Sequence, residues 1–344
     1  MNPPLRTVLI LGATGRFGAA ATHAFAAAGW RVLAQRRRPR VNESAVANVQ
    51  WLDADLSDPA GLAARAAGAQ VVVHAMSPAP YTDAAWRAQA PMMMRAAIDI
   101  SRRLDALLLF PGNVYNFGAG MPALLHEGTV QRPTTLKGQL RVELEAQLAD
   151  AHDACGLRSV VIRAGDYFGS GRGSVLDLVL AKDLRRGRIG LPGALDVPTP
   201  WAYLPDLASA FERVAQHHAE LGGAQVFHFA GHALTGRDWC EALATIAQEA
   251  GWLRAGQGAK ITRLPWRLIR AGGLFLPTWA SLAGIRYLWT TPHRLANERL
   301  IALIGPEPHT PLPRAVRQSL MDLGWLRDAP RGEQRMHARP FSAQ

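Results

Sequence analysis

The chain has 344 residues with a hydrophobic content of 49%, enough for one large α/β domain and a smaller lobe. Its formal charge of +11 comes almost entirely from arginine, and the arginines are scattered among alanine, leucine and glycine rather than interleaved with aromatic residues. This spread argues against a nucleic-acid surface, so we expect no nucleic-acid partner.

The first predicted strand and helix are joined by a glycine-rich turn. The apolar run at residues 7–11 is followed by Gly12, Gly15 and Gly18 and then by an alanine-rich run at 19–28. Gly12 allows a tight turn, Gly15 lets the backbone approach a pyrophosphate, and Gly18 lets strand and helix pack closely. The N–H groups at the helix start attract phosphate, so the turn predicts a dinucleotide site. The other residues assigned to this site are Thr14, Arg16 and Phe17.

Strands and helices alternate after this turn, which is typical of a doubly wound parallel sheet. The remaining elements are predicted as strands at 31–34, 49–52, 70–74, 106–110, 158–163 and 225–229 and helices at 59–67, 84–104, 135–155 and 205–218. We assign residues 1–168 to a Rossmann domain, with about 200–230 returning to it. Residues 169–199 and 231–326 form a smaller, mostly helical substrate lobe, and 327–344 are expected to be a disordered tail.

The end of the second strand carries arginines where a carboxylate would be expected for NAD. Arg36 and Arg37 open this run, and no acid occurs before Glu43. A carboxylate here would bind the ribose hydroxyls, whereas the planar fork of arginine suits a phosphate. We therefore predict NADP(H) in preference to NAD(H), and a solvated charged loop is the alternative.

Two further segments are assigned to the cofactor. Asp55 and Leu56 follow the third strand and could receive an adenine, by a hydrogen bond and by packing; a helix N-cap is the alternative role of the acid. Ala75 and Met76 follow the fourth strand, where the chain would pass the nicotinamide ribose. The neighbouring His74 is interpreted as a core histidine.

Together these features resemble the extended short-chain dehydrogenase/reductase family, which contains nucleotide-sugar epimerases and dehydratases. The resemblance covers about residues 5–325 and is strongest before 210. It is carried by Gly12-x-x-Gly15-x-x-Gly18, Asp55-Leu56, Val114-Tyr115, Arg163-Ala-Gly-Asp-Tyr-Phe-Gly169 and the segment 201–208. It implies an NAD(P)-dependent oxidoreductase, epimerase or dehydratase that acts on a carbonyl- or hydroxyl-bearing metabolite.

The family's catalytic Tyr-x-x-x-Lys pair is missing from this sequence. Lys137 and Arg141 stand at the matching positions, and the family's serine falls on or near Pro111. Residues 137 and 141 are one helical turn apart and share a face. The charge of Arg141, together with partial burial, should lower the pKa of Lys137, which could then donate a proton to a carbonyl. The alternative is that both are surface charges paired with Glu145.

Other polar residues complete the predicted site. Asn113 and Tyr115 follow the fifth strand, where ligands bind in open α/β sheets, and Tyr115 is a second candidate acid. The predicted substrate contacts are Tyr167, Arg172 and Tyr203, and no metal site is predicted. Because the usual catalytic residues are missing, the alternative function is a catalytically silent NADP(H)-binding sensor or regulatory protein.

The remaining expectations concern location and partners. The chain has two cysteines, Cys155 and Cys240, which we predict to be buried thiols in a reducing compartment rather than a disulfide. The amino end does not read as a secretion signal, so a cytoplasmic location is expected, and a homodimer is compatible with the sequence. The apolar stretch 268–289 is interrupted by arginine and proline and predicts no membrane span. We expect no membrane partner, and a peripheral contact of this basic, Trp-rich region is the alternative.

Overall fold

The computed structural model describes residues 6–39, 46–254 and 256–326. In chain order the strands are β1 (Thr7–Leu11), β2 (Arg31–Arg36), β3 (Val49–Asp53), β4 (Val71–His74), β5 (Leu107–Asn113), β6 (Leu124–Leu125), β7 (Ser159–Ala164), β8 (Asp166–Phe168), β9 (Arg188–Leu191), β10 (Thr199–Tyr203), β11 (Ala224–His228), β12 (His232–Leu234), β13 (Lys260–Arg263) and β14 (Arg294–Leu295). The helices are α1 (Arg16–Ala27), α2 (Pro59–Arg65), α3 (Asp83–Leu104), α4 (Leu136–Cys155), α5 (Leu204–Gln216), α6 (Gly236–Glu249), α7 (Trp266–Gly272), α8 (Pro277–Gly284), α9 (Glu298–Ile304) and α10 (Leu312–Asp322).

Seven of these strands form one sheet in the order β11-β7-β5-β4-β1-β2-β3, and every neighbouring pair is parallel. The predicted doubly wound α/β fold is therefore confirmed. The chain reaches the edge at β3 and returns to the other side of β1 at β4, so the order of strands reverses between β1 and β4. Ligands of open α/β sheets bind at such a reversal, outside the carboxyl ends of the strands.

Alternate residues of the strands supply the two faces of the sheet. Val8 and Ile10 of β1 pack into an apolar cluster with α1 and α5, whereas Leu9 and Leu11 pack into a second cluster with α2, α3 and α4. This alternation follows from the two-residue period of a strand. Because both faces are covered, the strands consist of apolar runs rather than of alternating polar and apolar residues.

A third apolar cluster lies in the later segments of the chain. Trp201 and Trp239 meet edge to face with ring centroids 5.0 Å apart, and Phe168 meets Trp239 at 5.3 Å. The division into a Rossmann domain and a substrate lobe stays a prediction. Residues 327–344, for which a tail was predicted, lie outside the described residues, as does Glu43.

Two expectations about side chains and helices can be compared with the structure. Cys155 is exposed and Cys240 is partly exposed, so the prediction of buried thiols is wrong, whereas both cysteines are free as predicted.

The stretch 268–289 forms the short helices α7 and α8 followed by a 3-10 turn. Within the described ranges, none of the helices combines the length and apolarity that crossing a bilayer requires.

Candidate functional site

The turn between β1 and α1 has the geometry of a phosphate-binding loop. Gly12 has a φ of +77°, and a Cβ there would lie 2.9 Å from Met76 Cγ. A Cβ on Gly18 would lie 2.9 Å from Ala13 Cα, so close packing of the turn on the helix requires glycine. The N-cap of α1 is Gly15, which is exposed and has no side chain that could occupy the helix start. This leaves the helix start open to an anion.

Gly15 differs from the other two glycines because nothing in the chain itself requires it. Its φ of −73° suits any residue, and the nearest atom to an added Cβ, the Gly12 carbonyl oxygen, would be 3.4 Å away. The other atom within 4 Å of that Cβ would be the Ala75 carbonyl oxygen at 3.7 Å, so both contacts are ordinary. A glycine without such a requirement is compatible with close approach of a ligand to the backbone.

Gln35, which sequence reasoning missed, holds this turn against the sheet. Its Oε1 accepts a hydrogen bond from the Gly12 N–H at 2.9 Å, and its Nε2 donates to the Ala54 carbonyl at 2.6 Å. Its own backbone carbonyl accepts from the Ala13 N–H at 3.0 Å. One buried amide therefore ties the ends of β1, β2 and β3 together.

The two arginines assigned to the cofactor phosphate lie in different surroundings. Arg36 is buried, its Nε donates to Asp53 Oδ1 at 2.6 Å, and its guanidinium lies over the Trp51 ring at 4.7 Å. Arg37 is exposed. The solvated-loop alternative therefore does not describe Arg36, and the partner carboxylate on β3 was not foreseen.

The segment after β3 presents Asp55 at the surface. Its carboxylate accepts a hydrogen bond from the Ser57 N–H at 2.9 Å, and this bond lowers the pKa of Asp55. Asp58, rather than Asp55, caps α2 by accepting from the Gly61 N–H at 2.9 Å. The N-cap alternative for Asp55 is therefore excluded, and the neighbouring Leu56 is half-buried.

The end of β4 lies directly against the glycine turn. Ala75 is buried, Met76 is half-buried, and the Met76 backbone borders Gly12. His74 is buried, and burial lowers its pKa to about 4, so the ring is neutral near pH 7. Its Nδ1 has no hydrogen-bond partner among the described residues. It lies in the core, as predicted.

Lys137 is buried rather than on the surface. Its Nζ donates to Asp83 Oδ1 at 2.5 Å and to Ser281 Oγ at 2.9 Å, and it lies 4.4 Å from the centre of the Tyr81 ring. Burial lowers the pKa of Lys137, and the Asp83 carboxylate opposes that effect. The pKa of Lys137 is lowered in the expected direction, and of the two expected causes it is burial that lowers it, not the charge of Arg141. The pairing with Asp83 was not foreseen.

Arg141 lies one turn further along α4, against the end of β5. Its NH1 donates to the Pro111 carbonyl at 2.9 Å, and its guanidinium lies between the Trp86 and Phe110 rings at 5.3 and 5.2 Å. It does not pair with Glu145, which instead makes a buried ion pair with Arg163 at 2.6 Å. The surface-charge alternative for Lys137 and Arg141 is therefore wrong.

A group of tyrosines gathers at the carboxyl end of β5. The hydroxyls of Tyr115 and Tyr81 are 3.3 Å apart, and Asn113 Oδ1 accepts from the Tyr115 N–H at 3.0 Å. Tyr287 donates to the Tyr115 carbonyl at 3.4 Å. Burial raises the pKa of Tyr81 to about 12 and that of Tyr115 well above its ordinary value. Sequence reasoning missed Tyr81, whose one signal was its place after β4.

Asp166 lies close to these tyrosines. The Trp289 Nε1 donates to its Oδ2 at 2.5 Å, and burial raises its pKa to about 6. Arg16 of the glycine turn donates to the carbonyls of Tyr167 and Gly169 at 3.4 Å, and its charge acts on Asp166. The turn and the segment after β7 are thus connected by hydrogen bonds.

The predicted substrate contacts are not all brought together. The Tyr167 hydroxyl donates to the Gly112 carbonyl at the end of β5. Arg172 donates to the Leu323 carbonyl after α10 at 3.3 Å, and Tyr203 is buried in the third apolar cluster beside Phe168. Within the described ranges, no hydrogen bond or ring contact joins Arg172 or Tyr203 to the Tyr81–Tyr115 pair.

The comparisons with known proteins agree with this architecture. The model of the NAD dependent epimerase/dehydratase family matches residues 8–230. No curated protein matches the sequence. L-threonine dehydrogenase from Clostridium difficile is similar in structure, with a TM-score of 0.70, 16% identity and coverage of 93% of this chain and 98% of that one.

Two further solved structures have the same fold. UDP-glucose 4-epimerase from Thermotoga maritima, solved with UDP-glucose, has a TM-score of 0.67 and 14% identity, with coverage of 92% and 98%. The Bordetella bronchiseptica enzyme WbmH, solved with NAD+, has a TM-score of 0.66 and 15% identity, again with coverage of 92% and 98%. The chain therefore belongs to the NAD dependent epimerase/dehydratase family and has the fold of these solved epimerase and dehydrogenase structures.

Proposed function

We propose that the chain binds a nicotinamide dinucleotide across the β1–α1 turn and interconverts a carbonyl and a hydroxyl group on a small metabolite. The observation that carries the proposal is Gly15, where neither backbone nor packing requires glycine and the helix start is open. The WbmH structure contains NAD+, which supports the same class of cofactor here. When bound, the nicotinamide ring supplies or accepts a hydride.

The residues that would hold the dinucleotide lie at three strand ends. The N–H groups of the α1 start would bind the pyrophosphate, Ala75 and Met76 would border the nicotinamide ribose, and Asp55 with Leu56 would border the adenine. The glycine-turn members of this proposed set are Gly12, Thr14, Gly15, Arg16, Phe17 and Gly18. Helix-start amides favour a negative charge without a side-chain cation.

We further propose that NADP(H) is preferred over NAD(H). Arg37 is exposed beside the end of β2, and its charge acts on Asp55, so it lies near the proposed adenosine site. Arg36 is already paired with Asp53, so it contributes less to phosphate binding than the sequence indicated. The preference therefore depends mainly on Arg37, whose guanidinium can donate two hydrogen bonds to a phosphate.

The proposed proton donor is Tyr115. A tyrosine hydroxyl is neutral near pH 7 and can donate a hydrogen bond to an oxygen that gains negative charge, and the burial that raises the pKa of Tyr115 keeps its hydroxyl protonated. The Tyr81 hydroxyl at 3.3 Å is placed to pass a proton to it. Lys137 would then be a positioning residue for Tyr81. Its ammonium lies over the Tyr81 ring and is bonded to Asp83, so it is not directed at a substrate. Arg141 and Asn113 hold the end of β5 by bonds to Pro111 and Tyr115.

The second candidate is a catalytically silent NADP(H)-binding sensor. One observation favours it: Lys137, at the position of the usual catalytic tyrosine, is engaged with Asp83 on α3 and with Ser281 on α8. These bonds join three helices, so the residue has a structural role whether or not chemistry occurs. A sensor would bind the dinucleotide and change its affinity for a partner with the redox state.

Fluorescence titration of the purified protein with NADPH and with NADH tests the binding proposal. We expect saturable binding of both, with NADPH the tighter ligand; tighter NADH binding would overturn the cofactor preference. A screen of carbonyl compounds for NADPH oxidation then separates the two functions. Turnover of any compound supports the enzyme, whereas binding without turnover across aldehydes, ketones and nucleotide-linked ketosugars supports the sensor.

A further inference from the structure

The turn between α7 and α8 exposes large apolar side chains. Leu274 and Phe275 are 83% and 84% exposed, and every residue from 274 to 280 is exposed. Side chains this accessible require the turn to stand clear of the rest of the described molecule. We call the segment 268–279 the apolar tip. Its exposed large side chains are Leu268, Leu274, Phe275, Leu276 and Trp279.

The apolar tip is an ordered hairpin with its backbone bonded internally. The N–H groups of Phe275 and Leu276 donate to the Gly272 carbonyl at 3.0 and 2.8 Å, and the Trp279 N–H donates to the Leu276 carbonyl at 2.9 Å. The Trp279 ring packs on Gly272. Insertion into an apolar phase requires internally bonded backbone groups, and this turn supplies them.

The sequence around the apolar tip contains no acid. Between Glu249 and Glu298 there is no aspartate or glutamate, and seven basic residues occur. These are Arg254, Lys260, Arg263, Arg267, Arg270, Arg286 and Arg294. None of them makes an ion pair with a carboxylate in the described part of the chain. Arg267 and Arg270 are exposed on α7, directly before the most exposed side chains.

We propose that the apolar tip docks on the surface of an anionic membrane. Leu274 and Phe275 enter the acyl boundary, Trp279 lies at the headgroup level, and Arg267 and Arg270 bind lipid phosphates. The segment therefore combines a projecting apolar turn with flanking cations and has no acid in the surrounding sequence. This combination is complementary to an anionic lipid surface, where phosphates lie beside any inserted side chain. This contact is peripheral and is compatible with α7 and α8, whose 7 and 8 residues are too few to span a bilayer.

The docked hairpin would be connected firmly to the candidate site. Ser281 of α8 donates to Asp83 Oδ1 at 2.8 Å and accepts from Lys137, so α8 is bonded to both α3 and α4. The candidate site would therefore be held near the lipid surface. The docking proposal does not depend on the proposed function, because it uses none of the cofactor or proton-donor residues.

Co-sedimentation of the full chain with vesicles tests the proposal. We expect binding to vesicles of phosphatidylcholine mixed with phosphatidylglycerol, and weaker binding to phosphatidylcholine alone. A Leu274→Ser/Phe275→Ser variant should bind about 100-fold more weakly, and an Arg267→Gln/Arg270→Gln variant about 10-fold more weakly. The matched control is Met92→Ser on α3, which is 56% exposed and should bind as the wild type does.

Two outcomes would overturn the proposal. One is the absence of binding to the anionic vesicles, or binding that the apolar-tip variants leave unchanged. The other is a role of the tip as a contact between two copies of this chain, which light scattering after gel filtration detects. In that case the Leu274→Ser/Phe275→Ser variant would have a lower molar mass in solution than the wild type, and the wild type would not bind the vesicles. Circular dichroism and thermal melting of the same variants confirm that they are folded.

Discussion

The carboxyl group of Asp166 should destabilise the folded protein at neutral pH, and Asp166→Asn should therefore stabilise it. Its pKa is raised from 3.8 to about 6, chiefly by burial. A shift of this size corresponds to about 3 kcal/mol, and the partial exposure of the side chain reduces the expected gain to about 1–3 kcal/mol. The asparagine Oδ1 can still accept the hydrogen bond from Trp289.

The raised pKa of Asp166 makes the free energy of unfolding depend on pH. Between about pH 4 and 6 the folded state holds the Asp166 proton more tightly than the unfolded state does, so this group's contribution to stability falls as pH rises through that window. The variant should exceed the wild type in free energy of unfolding at pH 8, and the difference should vanish near pH 4. Urea unfolding followed by circular dichroism measures both, with Asp153→Asn, exposed on α4, as the control. An equal or lower stability of Asp166→Asn at pH 8 would refute the reasoning.

Three further predictions follow from the site. Arg37→Gln should weaken NADPH binding about 10-fold and leave NADH binding nearly unchanged by calorimetry, because only the extra phosphate loses a charged donor; equal losses would argue against its role. Glu145→Gln should lower the free energy of unfolding by about 3–5 kcal/mol in urea, since it leaves the Arg163 guanidinium buried without its carboxylate. An unchanged urea midpoint would contradict this. Once a substrate is found, Tyr115→Phe should lower kcat by about 10² or more, whereas Tyr287→Phe should change it little; equal kcat values for wild type and Tyr115→Phe would exclude Tyr115 as the donor.

The sheet was predictable because its residues satisfy local rules. The predicted strand at 7–11 agrees with β1 at Thr7–Leu11, and the predicted helix at 135–155 agrees with α4 at Leu136–Cys155. Strands covered on both faces must be apolar throughout, and a glycine-rich turn between strand and helix has few alternative folds. The family resemblance added the expected function but did not alter these assignments.

The partners of the site residues could not be predicted, because they come from distant parts of the chain. Asp83 and Ser281 are 54 and 144 residues from Lys137, and no local pattern connects them. Tyr81 lies in a loop without periodicity, so only its position after β4 pointed to the site. The pairing of Arg36 with Asp53 depends on β2 and β3 being neighbours, and the sequence indicated both strands without indicating that pairing.

Calorimetric titration of Gly15→Ala with NADPH tests the central claim most directly. The variant should fold as the wild type does, since the backbone at Gly15 accepts any residue and the nearest atom to a new Cβ is 3.4 Å away. Gly128→Ala, where a Cβ meets nothing within 4 Å, is the matched control. We predict that Gly15→Ala melts at the wild-type temperature and binds NADPH at least about 10-fold more weakly, because the added methyl group would hold the pyrophosphate away from the helix-start N–H groups and weaken those charge-assisted hydrogen bonds. Binding of NADPH by Gly15→Ala with wild-type affinity would contradict the proposed position of the pyrophosphate.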